Sequence, residues 1–274
     1  MPSITVSLKD LSSLLGRSID GPEWLEKHLS FVKGELKAWN PSEDEAKIEL
    51  NDTNRPDLWC PEGIARQIKA KLTGTSRKYC FIENSSTVGK IVVDGSIDGV
   101  RPYIAAFTAK GAAIDDAALR QLIQSQEKLS DTFGRNRSAV ATGVYKLGKI
   151  DFPVKYYLVD EGESAFVPLG MDEKLSPLEI MERHPTAVEY KSAVAGYKGF
   201  PMLVDAKDQV LSMPPIINSR DVGAVDVGDS ELFIEVTGTD HRQVILAANI
   251  FAATLADRGY EIGAVEVDYS FETP

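Results

Sequence analysis

The order of strand-like and helix-like segments most limits the fold of this chain. Short runs rich in β-branched and aromatic residues predict strands, whereas two segments, after Asp116 and after Asp240, have the length and apolar spacing of long helices. Asp240 with Gln243 three residues later predicts a capping box at the second start. Because strands and long helices do not alternate regularly, the chain is predicted to be α+β and not a parallel βαβ fold.

Two domains are predicted, with the boundary in the polar, turn-rich stretch 83–90. Residues 1–85 form a small N-terminal α/β module, whose helices are predicted to end at Gly16, Gly34 and Gly74. Residues 86–274 form a larger mixed-sheet domain packed with long helices. The strands are predicted at residues 4–8, 47–50, 91–93, 103–109, 140–145, 154–159, 202–204, 209–212, 232–236 and 261–271.

Composition excludes several classes of protein. A content of 43% hydrophobic and 26% charged residues is ordinary for a globular chain, so a disordered or fibrous protein is excluded. No apolar run has the ~20 residues of a membrane span, and the N-terminus does not resemble a signal peptide. Two cysteines and three scattered histidines offer little for a disulfide scaffold or a metal site. We expect a cytoplasmic protein with no membrane contact and no metal.

The charge is uneven along the chain. The net charge of −11 argues against a surface that is basic throughout, but residues 101–155 contain nine basic and five acidic side chains. This segment is either a solvated face or a contact for a polyanion. Neither cysteine has a neighbouring histidine that would activate a thiolate, so a structural role is predicted for both. Cys60 is predicted at the start of a helix and Cys80 in a core.

Two motifs carry candidate function. Residues 51–58, Asn-Asp-Thr-Asn-Arg-Pro-Asp-Leu, form either an elaborate turn with an Arg55–Asp57 pair or a docking loop. In residues 211–219 a strand is halted by two prolines, which exposes Ser212 and Asn218. If adjacent strands bring these residues to Glu235 and to the helix start at Asp240, a pocket with apolar walls and free N–H donors results. Alternatively, Glu235 and Thr237 face solvent from an edge strand.

These motifs resemble the beta subunit of phenylalanyl-tRNA synthetase. Asn54-Arg55-Pro56-Asp57-Leu58 with Glu62-Gly63-Ile64-Ala65-Arg66 is similar to the N-terminal signature of that family, in its archaeal and eukaryotic type. Its editing domain is similar in three places, at residues 126–129, 211–218 and 233–240, and the second is Leu-Ser-Met-Pro-Pro-Ile-Ile-Asn. The resemblance implies an N-terminal piece of the subunit, with a docking module at 1–85 and an editing domain at 86–274.

The resemblance also implies activity, partners and cofactors. In this family the alpha subunit joins phenylalanine to tRNA(Phe) within an alpha2beta2 heterotetramer, using ATP and Mg2+, and the beta subunit hydrolyses mischarged Tyr-tRNA(Phe). We expect this portion to need no cofactor, since hydrolysis of an activated ester needs only a positioned water and a polarised carbonyl. The tRNA ribose hydroxyl is a further candidate participant.

Residue roles follow from matching the motifs. Asn218 is expected to read the tyrosine hydroxyl, Ser212 to line the pocket and Glu235 to hold the ammonium group. The catalytic group is predicted to be Thr237 with the N–H groups of Gly238 and Thr239, which would orient water or the ester carbonyl. The predicted tRNA contacts are Arg135 and Arg137.

The chain departs from the family pattern at two histidines. Lys128-Leu129-Ser130 stands where the family has Lys-Leu-His, and Tyr145 stands in place of the histidine of Gly-x-His-Asp-Leu. Cys60 replaces a serine, which weakens a helix cap by about 1 kcal/mol. Two alternatives therefore stay open beside editing, namely a scaffold that has lost editing and a freestanding deacylase.

Overall fold

The computed structural model describes residues 1–81 and 86–273. The domain boundary predicted between residues 85 and 86 falls at the edge of segment 82–85, so residue 85 lies outside the described residues. Within the described residues no helix has both the length and the hydropathy needed to span a membrane.

Within residues 1–81, a three-stranded antiparallel sheet packs against helices. Strand β3 lies between β1 and β2, and its residues Ala46, Ile48 and Leu50 are buried on one face. The elements are β1 (Ser3–Ser7), α1 (Leu8–Leu15), α2 (Pro22–Leu29), β2 (Gly34–Asn40), β3 (Glu45–Leu50) and α3 (Pro61–Thr73).

Within residues 86–273, nine strands form one mixed sheet. Strand β4 pairs in parallel with β12 and β7, and the other pairs are antiparallel. The order is β10-β9-β8-β7-β4-β12-β5-β11-β6. The strands are β4 (Thr87–Val93), β5 (Tyr103–Lys110), β6 (Val140–Lys146), β7 (Val154–Val159), β8 (Phe200–Val204), β9 (Val210–Met213), β10 (Ile217–Asn218), β11 (Glu231–Gly238) and β12 (Glu261–Tyr269). The predicted α+β class is confirmed.

Two long helices accompany this sheet, as predicted, together with three short ones. They are α4 (Asp116–Lys128), α5 (Pro177–Arg183), α6 (Pro185–Glu189), α7 (Arg220–Gly223) and α8 (His241–Asp257). The side chain of Asp115, and not of Asp116, caps α4 by accepting from Ala118 N at 2.7 Å. At α8 only half of the predicted capping box forms, since Asp240 accepts from Gln243 N at 3.0 Å but Gln243 Oε1 has no partner among the described residues.

The two ends of the nine-stranded sheet meet, and this closure creates the site. Strands β6 and β10 are its opposite edges, yet Tyr145 of β6 contacts Ser212 of β9, and Asn218 Nδ2 of β10 donates to Val144 O at 3.3 Å. The expectation that adjacent strands join Ser212 to Glu235 is therefore wrong. Curling of the sheet brings Ser212 of β9 and Glu235 of β11 together across five intervening strands.

A charged cluster joins the N-terminal sheet and helices to α8. Arg258, at the end of α8, donates two bonds of 2.7 and 2.9 Å to Asp10 and a further bond to Glu62. Ile64 and Ile68 of α3 belong to the same apolar core as Phe251 and Leu255 of α8. The N-terminal part and the larger sheet thus share a continuous core.

The small helices and two strands were missed by the sequence analysis. Strand β2 is only partly buried, and α5, α6, α7 and β10 have seven residues or fewer, which leaves little periodicity to detect. The placement of Cys80 in a core is wrong, since it is exposed. Cys60 does cap α3, and its Sγ accepts from Gly63 N at 3.4 Å.

Candidate functional site

A cavity of about 420 Å³ lies between α4, β6 and the hairpin that contains Pro214 and Pro215. Ser212, Asn218 and Glu235, the pocket residues predicted from the sequence, all line this cavity. Much of the remaining wall is apolar and includes Leu122, Ile123, Leu119, Val144, Pro215 and Ile216. The result is an apolar slot with a few fixed polar groups, which suits a ring with a polar substituent.

Glu235 is the buried carboxylate of this cavity. It is 3% exposed, and Oε2 has no hydrogen-bond partner among the described residues. Burial raises its pKa to about 7, while the bond from Tyr145 and the charge of Arg101 act in the opposite direction. A carboxylate with an open oxygen and little compensation would gain from a cationic group placed in the cavity.

A hydrogen-bonded chain connects Ser212 to Glu235 through Tyr145. The Tyr145 oxygen lies 2.8 Å from Ser212 Oγ and 3.0 Å from Glu235 Oε1. A phenol has one proton, so donation to the carboxylate leaves its oxygen to accept from the Ser212 hydroxyl. Burial and the Glu235 charge raise the pKa of Tyr145 well above its usual value, so it stays a donor at neutral pH.

Two glycines leave the space that this site needs. Gly143 lies opposite Glu235 in the β6–β11 register, and a Cβ there would collide with the Tyr145 oxygen and Glu235 Oε1. A Cβ on Gly223 would collide with the Asn218 side chain. The absence of a Cβ at these positions therefore leaves room for the side chains of Tyr145 and Asn218.

Asn218 holds one side of the cavity. Its Nδ2 donates to Val144 O on the edge strand β6, and Gln126 Nε2 of α4 donates in the same way to Thr142 O at 2.5 Å. Nδ2 uses one of its two N–H groups in this bond, and no hydrogen bond to Oδ1 is found among the described residues, so Oδ1 can accept from a ligand. Asn218 is thus suited to a hydroxyl that donates its proton.

The predicted catalytic group lies outside the lining of this cavity. Thr237 is fully buried, and Arg101 donates to its Oγ1 at 3.0 Å and to its carbonyl at 2.7 Å. The expectation of a free N–H donor is wrong for Thr239, whose N–H donates to Ala139 O at 3.0 Å. A Cβ on Gly238 would collide with Ala139 O, so its backbone approaches β6 closely.

Arg135 and Arg137 have different surroundings. Arg135 is exposed, whereas the guanidinium of Arg137 lies 3.8 Å from the centre of the Tyr190 ring and donates to Ile216 O at 3.0 Å. Arg137 also lines the cavity. It therefore braces the proline hairpin, and Arg135 alone presents an open cation.

Sequence reasoning missed Tyr145 and Arg101 as parts of the site. Tyr145 was noted only as a departure from a family motif, and its partner Ser212 lies 67 residues away. Arg101 is fully buried, which is rare for arginine, and it stands before a predicted strand. The available signal was the two-residue periodicity of β11. It places Thr237, the partner of Arg101, on the same face as Glu235, the partner of Tyr145.

The Arg55–Asp57 pair predicted for the 51–58 loop is present. Two bonds of 2.9 and 2.8 Å join the side chains. Elsewhere in the described chain, no cluster of three or more His, Cys, Asp or Glu side chains is arranged to hold a metal ion.

Comparisons with known proteins give the family. The chain is 41% identical to the phenylalanine–tRNA ligase beta subunits of Borrelia hermsii and Borrelia recurrentis over its whole length, and spans 49% of each. An N-terminal fragment of the phenylalanyl-tRNA synthetase beta subunit from Pyrococcus horikoshii superimposes with a TM-score of 0.93 at 38% identity, over all of this chain and 79% of that one. No protein-family model matches. The chain spans about half the length of the curated relatives, and it belongs to the family of phenylalanine–tRNA ligase beta subunits.

Proposed function

We propose that the cavity hydrolyses the ester of Tyr-tRNA(Phe). We further propose that the chain acts with the alpha subunit of phenylalanine–tRNA ligase, which charges tRNA(Phe) with phenylalanine. The observation that carries the editing proposal is the pairing of an open amide acceptor, Asn218 Oδ1, with an open buried carboxylate oxygen, Glu235 Oε2, in one apolar cavity.

The amide selects tyrosine. A tyrosyl ring in the apolar slot donates its hydroxyl to Asn218 Oδ1, whereas a phenylalanyl ring buries that acceptor unpaired. A hydrophobic pocket rejects an added hydroxyl by only ~10²-fold, but a site that requires the hydroxyl discriminates by ~10⁴-fold or more. Editing therefore supplies the selectivity that charging lacks.

The carboxylate holds the amino group of the substrate. An aminoacyl ester carries an ammonium next to the scissile carbonyl, and Glu235 Oε2 provides its counter-charge. Since the pKa of Glu235 is raised to about 7, the contact strengthens as the pH rises through 7. It weakens again when the ammonium deprotonates, near the usual α-amino pKa of about 8.

Hydrolysis itself requires a placed water. The water oxygen bonds to the carbonyl carbon, the bond to the ribose oxygen breaks, and the ribose oxygen takes up the proton that the water releases. Ser212, which faces the cavity and donates to Tyr145, keeps lone pairs that orient this water.

Thr237 supports the site from behind. It accepts two bonds from Arg101, and the Arg101 charge lowers the pKa of Glu235 against the effect of burial. We therefore assign Thr237 a positioning role, and we propose that Gly238 and Thr239 contribute through the close contact of their strand with β6.

Deacylation tests this function. The chain is incubated with Tyr-tRNA(Phe) and Phe-tRNA(Phe), alongside Asn218→Ala and a matched control, Asn249→Ala, on the exposed face of α8. We expect selective loss of tyrosine, at least tenfold less selectivity in Asn218→Ala, and no change in the control. Equal hydrolysis of both esters by the unaltered chain would contradict the proposal.

A scaffold without editing is the second candidate. The engaged N–H of Thr239 and the presence of Ser130 and Tyr145 at the positions of family histidines favour it. If neither ester is hydrolysed by this chain or by its reconstituted complex with the alpha subunit, the scaffold is the correct function.

A further inference from the structure

A second basic segment lies in the N-terminal part, far from the cavity in sequence. Residues 63–81 contain five basic side chains and no acidic one, in a chain whose net charge is −11. They are Arg66, Lys69, Lys71, Arg77 and Lys78. This density of positive charge is higher than in the 101–155 segment, where acidic residues are interspersed.

The fold gathers part of this charge around one groove. A hollow of about 390 Å³, here called the α3 groove, lies between one face of α3, the segment 73–77 that follows it, Leu14 of α1 and Asp257 of α8. Arg66, Lys69 and Arg77 line it, together with the hydroxyl-bearing residues Thr73, Thr75 and Ser76. It shares no lining residue with the candidate editing cavity.

The acidic side chains of the groove are already engaged. Asp257 accepts from Arg66 at 2.8 Å, from Tyr79 at 2.6 Å and from Arg77 at 3.3 Å, while Glu62 is bonded to Arg258. Arg66 Nη2 is buried and has no partner among the described residues. The groove thus offers donors and positive charge, while its two carboxylates are held by arginines and their one oxygen without a partner among the described residues, Glu62 Oε2, is buried.

The aromatic ring beside the groove is also occupied. The guanidinium groups of Arg66 and Arg77 lie 5.5 and 5.2 Å from the centre of the Tyr79 ring. A ring engaged in this way does not serve as a stacking platform for a nucleic-acid base. The groove is therefore suited to phosphate groups and not to base recognition.

We propose that the α3 groove and the exposed lysines beside it bind the phosphodiester backbone of RNA. An extended polyanion fits better than a mononucleotide, because Lys71 and Lys78 are exposed outside the groove lining and add charge beyond one phosphate. The choice of RNA rests on the proposed function, in which tRNA(Phe) carries the substrate. The contact itself does not depend on editing.

A matched pair of charge reversals tests this proposal. The test variant carries Lys69→Glu, Lys71→Glu and Lys78→Glu, which leaves Arg66 and Arg77 in their contacts with Asp257. The control carries Lys27→Glu, Lys47→Glu and Lys174→Glu, three exposed lysines outside the groove lining. Filter binding of uncharged tRNA(Phe) is measured from about 50 to 200 mM salt, the range over which phosphate contacts weaken strongly.

We expect the test variant to bind at least about tenfold more weakly at the low-salt end. The slope of log affinity against log salt should fall by about 2 to 3, which corresponds to three lost phosphate contacts, and the control should change much less. Equal losses in both variants would overturn the proposal, because net charge would then explain them. The proposal would also be overturned, in favour of a mononucleotide site, if millimolar ATP displaced the RNA from the unaltered chain but not from the test variant.

Deacylation separates this contact from the editing proposal. With saturating Tyr-tRNA(Phe), the test variant should retain the kcat of the unaltered chain and show a raised KM. If the chain hydrolyses no ester but the difference between the variants in RNA binding persists, editing is wrong and the groove stands. If editing occurs and the two variants bind RNA equally, the groove is wrong.

Discussion

Glu62 and Glu235 are both almost fully buried, but their partners differ. Glu62 Oε1 accepts from Arg258, which also clasps Asp10, so this carboxyl has a cation within hydrogen-bond distance, although Oε2 has no partner among the described residues and burial raises the pKa of Glu62. Glu235 is bonded to a neutral phenol, and Arg101 influences it without a hydrogen bond between them. A buried carboxylate paired with a cation holds elements together, whereas one left with a phenol is available for a cationic ligand.

Removing the internal cation should give the largest effect. Arg258→Met strands Glu62 and Asp10 without their counter-charge, so we expect the free energy of unfolding to fall by about 3 to 5 kcal/mol. Urea denaturation measures this. Arg242→Met, which removes an exposed cation from the same helix, is the control and should change stability by less than about 0.5 kcal/mol. Similar effects of the two changes would show that Arg258 does not stabilise the protein as the counter-charge of Glu62.

Glu235→Gln should raise the free energy of unfolding, and the size of this gain depends on pH. The folded-state pKa of Glu235 is about 7, above its ordinary value of 4.5, so the folded chain holds a proton that the unfolded chain releases between these values. The free energy of unfolding of the unaltered chain therefore falls as the pH rises through this window. Relative to it, Glu235→Gln should gain up to about 3 kcal/mol at pH 8 and little at pH 4.

Denaturation at a series of pH values checks this prediction. A gain in stability that does not vary with pH would mean that burial of the charged form of Glu235 does not destabilise the protein. The same variant should raise the KM for Tyr-tRNA(Phe), because the ammonium loses its counter-charge. A stabilised protein with weakened substrate binding is the signature of a functional carboxylate, and Glu62 should not show it.

Gly143→Ala tests whether the space around Glu235 matters. The added methyl group collides with the Tyr145 oxygen and Glu235, and overpacking of this kind costs about 1 to 3 kcal/mol. We expect deacylation to fall by a larger factor than the loss of folded protein explains. The control is Gly148→Ala, where a Cβ meets no atom within 4 Å. Full activity in Gly143→Ala would show that the hydrogen-bonded chain is dispensable.

The sequence predicted the parts of the site that are local in the chain. Pro214 and Pro215 mark the hairpin, and the resemblance to a known family singled out Ser212, Asn218 and Glu235, which the fold then brings to one cavity. Helix ends at Gly16 and Gly74 followed from turn chemistry, and both glycines have positive φ. Local patterns were sufficient where the backbone alone sets the structure.

The rest of the site depends on closure of the sheet. Tyr145 reaches Ser212 because the two sheet edges meet, and no periodicity within β6 or β9 encodes that contact. Arg101 was missed because its partners are backbone carbonyls and one threonine, and not a carboxylate that charge patterning would reveal. Engagement of the Thr239 N–H by Ala139 O is likewise a contact between distant segments.

Tyr145→Phe should give the smallest effect and the finest test of the comparison. The change removes one proton donor and leaves Glu235 Oε1 and the Ser212 hydroxyl without their shared partner, which costs about 1 to 2 kcal/mol. Because the Tyr145 bond lowers the pKa of Glu235, its loss should move that pKa further above 7. Substrate binding should then require a higher pH, so the KM profile shifts upward while kcat at high pH is largely kept. Tyr157→Phe, on β7 and outside the cavity, should leave the profile unchanged. If the profile of Tyr145→Phe also stays in place, the phenol does not control the charge of Glu235, and the contrast with Glu62 must rest on the Arg258 cation alone.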